Sequence, residues 1–129
     1  MRKKIIILGS TGSIGKSLIK ILKKDKNDFE ILLLTTNSNY KELLKQAHYF
    51  NVKNLIITNK KNYIITKKIL KNKKINIYNN FDTLDNIFKK RKADYTMSSI
   101  SGFAGLNPTL KIIKFSKKIA IANKESIIC

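Results

Sequence analysis

ILGSTGSIG, residues 7–15, holds three of the chain's five glycines, Gly9, Gly12 and Gly15, directly behind the apolar run Ile5–Leu8. A short β-branched run of this kind reads as a buried strand. From Ser13 onward Ile14, Leu18, Ile21 and Leu22 recur at helical spacing, with Lys16, Lys20, Lys23 and Lys24 on the other face. The glycines therefore stand at a strand-to-helix turn. Gly9 lets the chain leave the strand sharply, Gly12 removes a side chain where backbone N–H groups would approach a pyrophosphate, and Gly15 lets the helix lie close on the sheet. The helix N-terminus adds unpaired N–H groups and the positive end of its dipole. Ser10, Thr11 and Ser13 offer hydroxyls for capping or phosphate contact. A ligand-free turn would use the same glycines; their place at the first turn of an alternating chain is what favours a dinucleotide.

That alternation continues outward. Residues 25–28, DKND, break the first helix, and Phe29–Thr36 reads as a second strand. Leu43, Leu44 and Ala47 mark a helix, Asn54–Thr58 a strand, Asn62–Asn72 a helix and Ile75–Tyr78 an extended stretch. Thr83–Arg91 is predicted helical, Asp94–Ile100 a strand, Leu106–Phe115 a helix and Lys118–Asn123 a final strand. Such a chain needs right-handed crossovers and a parallel sheet covered on both faces. The expected fold is α/β: a Rossmann-like, doubly wound, mainly parallel sheet forming one domain over residues 1–129.

Composition bounds the function. A chain of 129 residues with 43% hydrophobic content supports one globular core and argues against disorder. No apolar run approaches the roughly 20 residues needed to cross a bilayer. The opening MRKKIIILGS has too short an aliphatic run for a signal peptide. The single cysteine, Cys129, excludes an internal disulfide, and one histidine, His48, leaves no His/Cys cluster for zinc. The expectation is a soluble, cytoplasmic domain without a membrane partner. The formal charge of +19, from 27 basic and 8 acidic residues, would suit a nucleic-acid binder. Arginine, however, occurs only at Arg2 and Arg91, and lysine is spread from Lys3 to Lys124. Lysine, isoleucine and asparagine share A/T-rich codons, so genome bias explains the excess and nucleic acid is not the expected partner. The positive field still attracts small anions.

The segment after the second strand bears on which nucleotide is bound. Sites for NAD commonly place Asp or Glu about 20 residues beyond the glycines, on the ribose 2′-hydroxyl. Here the stretch is Thr35-Thr36-Asn37-Ser38-Asn39, with Lys41 just beyond and no carboxylate. A 2′-phosphate is tolerated there, which leans the reading towards NADPH. Two later segments follow strands, where ligands of such sheets bind. SGFAG, residues 101–105, carries Gly102 and Gly105, which let backbone approach a cofactor, and Asn123-Lys124-Glu125 presents an amide, a cation and a carboxylate in a row.

GSTGSIG near the start, GLNPTL over Gly105–Leu110 and IANKES over Ile121–Ser126 resemble, in this order, 1-deoxy-D-xylulose 5-phosphate reductoisomerases. The resemblance runs from Ile5 to Ile128. It implies an NADPH-dependent enzyme of the non-mevalonate route to isoprenoid precursors. Such an enzyme isomerises 1-deoxy-D-xylulose 5-phosphate and reduces it to 2-C-methyl-D-erythritol 4-phosphate with a divalent metal, Mg or Mn, as a homodimer. By the same resemblance Thr11, Gly12, Ser13 and Ile14 line the NADPH phosphates, Asn37, Ser38 and Asn39 take the adenosine-ribose end, Asn123 and Glu125 contact the cofactor, and Lys124 reaches the sugar-phosphate substrate. Many members carry Gly-Lys-Asn or similar where this chain has Asn37-Ser38-Asn39, so a lysine that would serve the 2′-phosphate is missing. The family continues into a catalytic domain with an Asp-Ser-Glu metal motif, further acidic ligands and a histidine-bearing loop; none of these follows Cys129.

The residues alone lead to a similar expectation. Rearrangement beside a ketone needs a Lewis acid or general acids, and eight scattered carboxylates and one histidine supply no cluster. The chain by itself is expected to bind NADPH and to catalyse nothing. A short-chain reductase would want a Tyr-x-x-x-Lys pair after the fourth strand, which is not found there. A basic nucleic-acid binder would want clustered arginines or aromatics, and these are dispersed. A non-functional remnant is the remaining alternative.

Overall fold

The computed structural model describes residues 2–88, 92–100 and 106–121, by backbone only at 106 and 107. Six strands, β1 (Lys3–Leu8), β2 (Phe29–Thr36), β3 (Asn54–Ile57), β4 (Asn76–Tyr78), β5 (Ala93–Ser98) and β6 (Ser116–Ile121), form one sheet. Its order is β4-β3-β2-β1-β5-β6 and every neighbouring pair is parallel. The helices between them are α1 (Ser13–Lys24), α2 (Tyr40–Phe50), α3 (Lys60–Ile69), α4 (Leu84–Ile87) and α5 (Leu106–Ile112). The first three crossovers step outward from β1 to β4. The fourth returns to lay β5 on the other side of β1, so the order reverses between β1 and β5, and the ligand crevice of a doubly wound sheet opens at such a reversal.

The sheet buries both faces. Ile5 and Ile7 of β1 pack with Ile19 and Leu22 of α1 and with Leu43, Ala47 and Phe50 of α2. Ile6 and Leu8 face the other way, towards Leu84 of α4, Ile112 of α5, and Phe81, Phe88 and Phe115. In β2 the alternation breaks, since Leu32 and Leu33 both join the α4–α5 side while Ile31 and Leu34 join the α1–α2 side. The pairing explains this: Ile5 lies opposite Ile31 but Ile6 lies opposite Leu33, so the ladder takes up one extra residue at Leu32. Asn54 Nδ2 donates to the Leu32 carbonyl at 3.3 Å and gives it a partner.

Several boundaries differ from the sequence reading. α3 starts at Lys60 rather than Asn62, because the Asn59 side chain caps it by accepting from Asn62 N–H at 3.1 Å. The expected Thr83–Arg91 helix is a 3₁₀ turn over Phe81–Thr83 followed by the single turn of α4, and residues 89–91 lie outside the described residues. β5 ends at Ser98 and β6 begins at Ser116, earlier than expected at both places.

The rotation of α1 also differs. Its buried residues are Gly15, Ile19 and Leu22, whereas Ile14 and Ile21 are 42% and 60% exposed. A Cβ on Gly15 would lie 2.3 Å from the Gly9 carbonyl oxygen, so this contact sets which side of the helix faces inward. Ile14 and Ile21 are turned away from the core despite their spacing.

Candidate functional site

The carboxyl end of β1 runs into the glycine turn, and the three glycines there do different work. Gly9 has φ +75, and a Cβ on it would also come within 3.0 Å of Ile100 Cγ1. Gly15 is forced by the close approach just described. Among the described residues nothing requires Gly12: its φ is −75, and the nearest described atom to an added Cβ is the Gly9 carbonyl oxygen at 3.9 Å. Among the described residues the space above Gly12 is therefore open, beside the start of α1. The first helical bond runs from Lys16 N–H to the Gly12 carbonyl at 2.8 Å, which leaves the N–H groups of Ser13, Ile14 and Gly15 without partners four residues back. No side chain caps this end and no acid lies in its first turn, whereas Asn39 and Asn59 cap α2 and α3. A ring of N–H donors without a partner among the described residues, at the positive end of a 12-residue helix, suits an anion.

Of the two roles open to Ser10, Thr11 and Ser13, capping or phosphate contact, the capping is not made. Ser10 is fully buried, and its N–H and hydroxyl donate to the Thr35 carbonyl at 3.0 and 3.4 Å. The Thr11 hydroxyl shares a 2.6 Å hydrogen bond with the Thr36 hydroxyl. Ser13 is exposed, and its carbonyl accepts from Ser17 Oγ at 3.0 Å. The turn folds down over the end of β2, and that strand captures the hydroxyls of Ser10 and Thr11.

Residues the sequence reading did not single out hold the turn in shape. Thr35 Oγ1 accepts from Gly9 N–H at 2.9 Å. Gln46, buried on α2, donates through Nε2 to the Ser10 carbonyl at 3.0 Å and to Glu42 Oε2 at 3.3 Å. Ser99 Oγ donates to the carbonyls of Leu8 and Gly9 at 2.9 and 3.0 Å, closing the turn from the β5 side. One signal was available for Gln46: a lone amide between Leu43 and Ala47 on an apolar helical face needs a buried partner.

Beyond β2, Asn37, Ser38 and Asn39 are all exposed. The Asn37 carbonyl accepts from Asn59 N–H at 2.8 Å, the Ser38 carbonyl accepts from Tyr40 N–H at 2.8 Å, and Asn39 Oδ1 caps α2 by accepting from Glu42 N–H at 3.3 Å. Beside Asn37 opens a hollow of about 420 Å³ lined by Thr35, Thr36, Asn37, Thr58, Phe81, Ile100 and Pro108. Its apolar walls and rim of hydroxyls fit a flat heterocycle with polar edges. A second hollow, of about 360 Å³, lies at the β4 edge among Lys67, Lys71 and Lys73, away from the strand reversal. Of the remaining sequence-predicted residues, Gly102, Asn123, Lys124 and Glu125 lie outside the described residues. Among the described residues no group of three His, Cys, Asp or Glu side chains is placed to hold a metal ion, and His48 is exposed on α2.

Asp94 marks the opposite, structural end of the sheet. Its Oδ2 accepts from Lys4 N–H at 2.9 Å, and Lys117 Nζ lies 3.3 Å from Oδ1. The hydrogen bond from Lys4 N–H, opposed by desolvation and reinforced by Lys117, holds the carboxyl below its ordinary range.

With the glycine turn and hollow in place at one end of a doubly wound sheet, comparison with known families is decisive. The family model for 1-deoxy-D-xylulose 5-phosphate reductoisomerase matches residues 5–129. The chain belongs to this family. The reductoisomerase of Pelagibacter ubique is 62% identical over 128 residues, which cover 98% of this chain and 33% of that protein. The reductoisomerase of Buchnera aphidicola is 41% identical over a similar span. The solved reductoisomerase of Zymomonas mobilis, described as in complex with NADPH, superposes with a TM-score of 0.85 at 33% identity, covering 98% of this chain and 33% of that one. A further reductoisomerase structure, in complex with NADPH, fosmidomycin and magnesium, gives a TM-score of 0.84 at 31% identity, covering 97% of this chain and 31% of that one. The chain spans about a third of the length of the curated reductoisomerases it matches. No helix among its described residues is long and apolar enough to cross a membrane.

Proposed function

We propose that residues 1–129 form the NADPH-binding domain of a 1-deoxy-D-xylulose 5-phosphate reductoisomerase. The observation that carries this reading is the space over Gly12 beside the uncapped α1, which no atom of the described residues fills and which suits a pyrophosphate. Gly9 and Gly15 shape the turn, while Thr11, Gly12, Ser13 and Ile14 line the phosphates. The hollow between Thr35, Phe81, Ile100 and Pro108 takes the adenine, and Asn37, Ser38 and Asn39 take the adenosine ribose with its 2′-phosphate. Gly102, Asn123 and Glu125 serve the cofactor's other half, and Lys124 serves the sugar phosphate. NADPH supplies a hydride for the reduction; this chain's residues bind and orient the dinucleotide.

The whole activity, isomerisation and reduction of 1-deoxy-D-xylulose 5-phosphate with a divalent metal in isoprenoid precursor synthesis, belongs in this reading to the full-length protein. The described residues do not provide a ligand set for the metal, so no step through a metal is assigned to them. This chain alone binds cofactor and does not turn over substrate. A cytoplasmic location and a homodimeric state follow from the family resemblance.

Fluorescence titration with NADPH and with NADH tests the assignment, carried out at physiological salt with excess polyphosphate to occupy the lysine-rich surface. Saturable binding that favours NADPH and survives the competitor is expected. Binding that vanishes with competitor would reduce the effect to non-specific charge attraction and refute the assignment.

A further inference from the structure

Thr58 follows β3 as Asn37 follows β2, and the two stand side by side at the rim of the hollow. The Thr58 hydroxyl donates to Asn37 Oδ1 at 2.9 Å. Two further bonds extend the ladder beyond the strands, from Thr58 N–H to the Thr36 carbonyl at 3.1 Å and from Asn59 N–H to the Asn37 carbonyl at 2.8 Å. Asn79 Nδ2 braces the same segment from the next strand over, donating to the carbonyls of Ile57 and Thr58 at 2.9 and 3.2 Å. The backbone of Asn37 and one half of its side chain are thus both set by the segment after β3.

An amide offers one acceptor atom and one donor group, and they point in different directions. With Oδ1 engaged by Thr58 on an exposed side chain, Nδ2 is the group Asn37 has left to offer a ligand as a donor. A 2′-phosphate accepts from such a group in charge-assisted hydrogen bonds, while an unphosphorylated ribose gains no such charge-assisted contact. We propose that Thr58 is a positioning residue for cofactor choice: through its hydroxyl it turns the Asn37 amide so that its NH₂ group faces the 2′-phosphate. This rests on the NADPH-binding reading above and extends it to a residue that does not itself touch the phosphate.

The test uses the 129-residue chain with Thr58→Val, which keeps the shape and loses the hydroxyl, and Thr58→Ser, which keeps the hydroxyl. Affinities are measured for NADPH and NADH, and for adenosine 2′,5′-bisphosphate and 5′-AMP, under polyphosphate competition. Thr58→Val is expected to weaken NADPH and the bisphosphate roughly 3- to 10-fold, the range of one net hydrogen bond. NADH and 5′-AMP are expected to stay within about twofold, and Thr58→Ser to match the unmutated chain. Should Thr58→Val fold poorly, Thr58→Ala removes the same hydroxyl and repeats the measurement. Equal weakening of phosphorylated and unphosphorylated ligands, or no change in either, would overturn the role of Thr58 and leave the cofactor reading intact. Failure of the unmutated chain to bind either dinucleotide saturably would overturn both.

Discussion

Gly12 and Gly15 lie three residues apart in one turn, and replacing each should damage a different property. An alanine at Gly15 puts a Cβ 2.3 Å from the Gly9 carbonyl oxygen and 2.6 Å from backbone atoms of Ser10. Backbone has nowhere to rotate, so the clash is expected near the upper end of the usual overpacking penalty, about 3 kcal/mol. The better helix propensity of alanine returns about 1 kcal/mol. The net loss of about 2 kcal/mol corresponds to roughly 6–10 °C in Tm for a domain of this size. At Gly12 the same substitution meets no atom of the described residues nearer than 3.9 Å, in an ordinary φ region. Alanine is a poorer N-cap by about 0.5–1 kcal/mol, and the stiffer unfolded chain offsets this by a similar amount. Gly12→Ala should therefore melt within about 3 °C of the unmutated chain. Its binding should suffer instead, and Gly12→Val, which fills the space further, should weaken NADPH by more than about tenfold, or 1.4 kcal/mol. Thermal melts and NADPH titrations on the same preparations separate the two effects. If Gly12→Val binds NADPH normally, or Gly12→Ala melts as early as Gly15→Ala, the division of roles between these glycines is wrong.

Three further outcomes follow from particular contacts. Thr35→Val keeps the side-chain shape but leaves the Gly9 N–H without its acceptor, so a loss of about 1–3 kcal/mol is expected in denaturant titrations; an unchanged midpoint would mean that this N–H has another partner. Ser38→Asp places a carboxylate where the 2′-phosphate is assigned and should weaken NADPH more than NADH, so parallel losses for the two cofactors would move the phosphate elsewhere. Asp94 has a folded-state pKa below its reference of 3.8, so its contribution to stability is present above that reference and is lost as pH falls through the folded value. Asp94→Asn should lower Tm at neutral pH and shrink the difference from the unmutated chain in acid. A gap that stays constant from pH 7 to about pH 3 would refute the linkage.

The reading of the first turn shows how far local pattern reaches. GSTGSIG behind an aliphatic run was enough to place strand, turn and helix, because each glycine's consequence is local to the backbone it sits in. What the neighbouring hydroxyls would do was not legible. Ser10 and Thr11 look like caps for α1, yet both bond to residues of β2, 25 positions away in the chain. Asn39 shows the opposite overlap: a residue assigned to the cofactor also caps α2. Asn37 stands out in the sequence by its distance beyond the glycines, whereas Thr58, 21 residues later, becomes its partner only when β2 and β3 lie side by side.

By itself the sequence determined the alternation of strands and helices, the parallel sheet and the glycine turn, and with its three motifs it determined the family. These features depend on the period of apolar residues and on backbone freedom, both written within a few neighbouring positions. Only the tertiary structure decided the rotation of α1, the extra residue at Leu32, the inward turn of Ser10 and the pairing of Thr58 with Asn37. The first is set by a steric approach of helix to turn and the others by pairing between neighbouring strands, and both override the local apolar pattern.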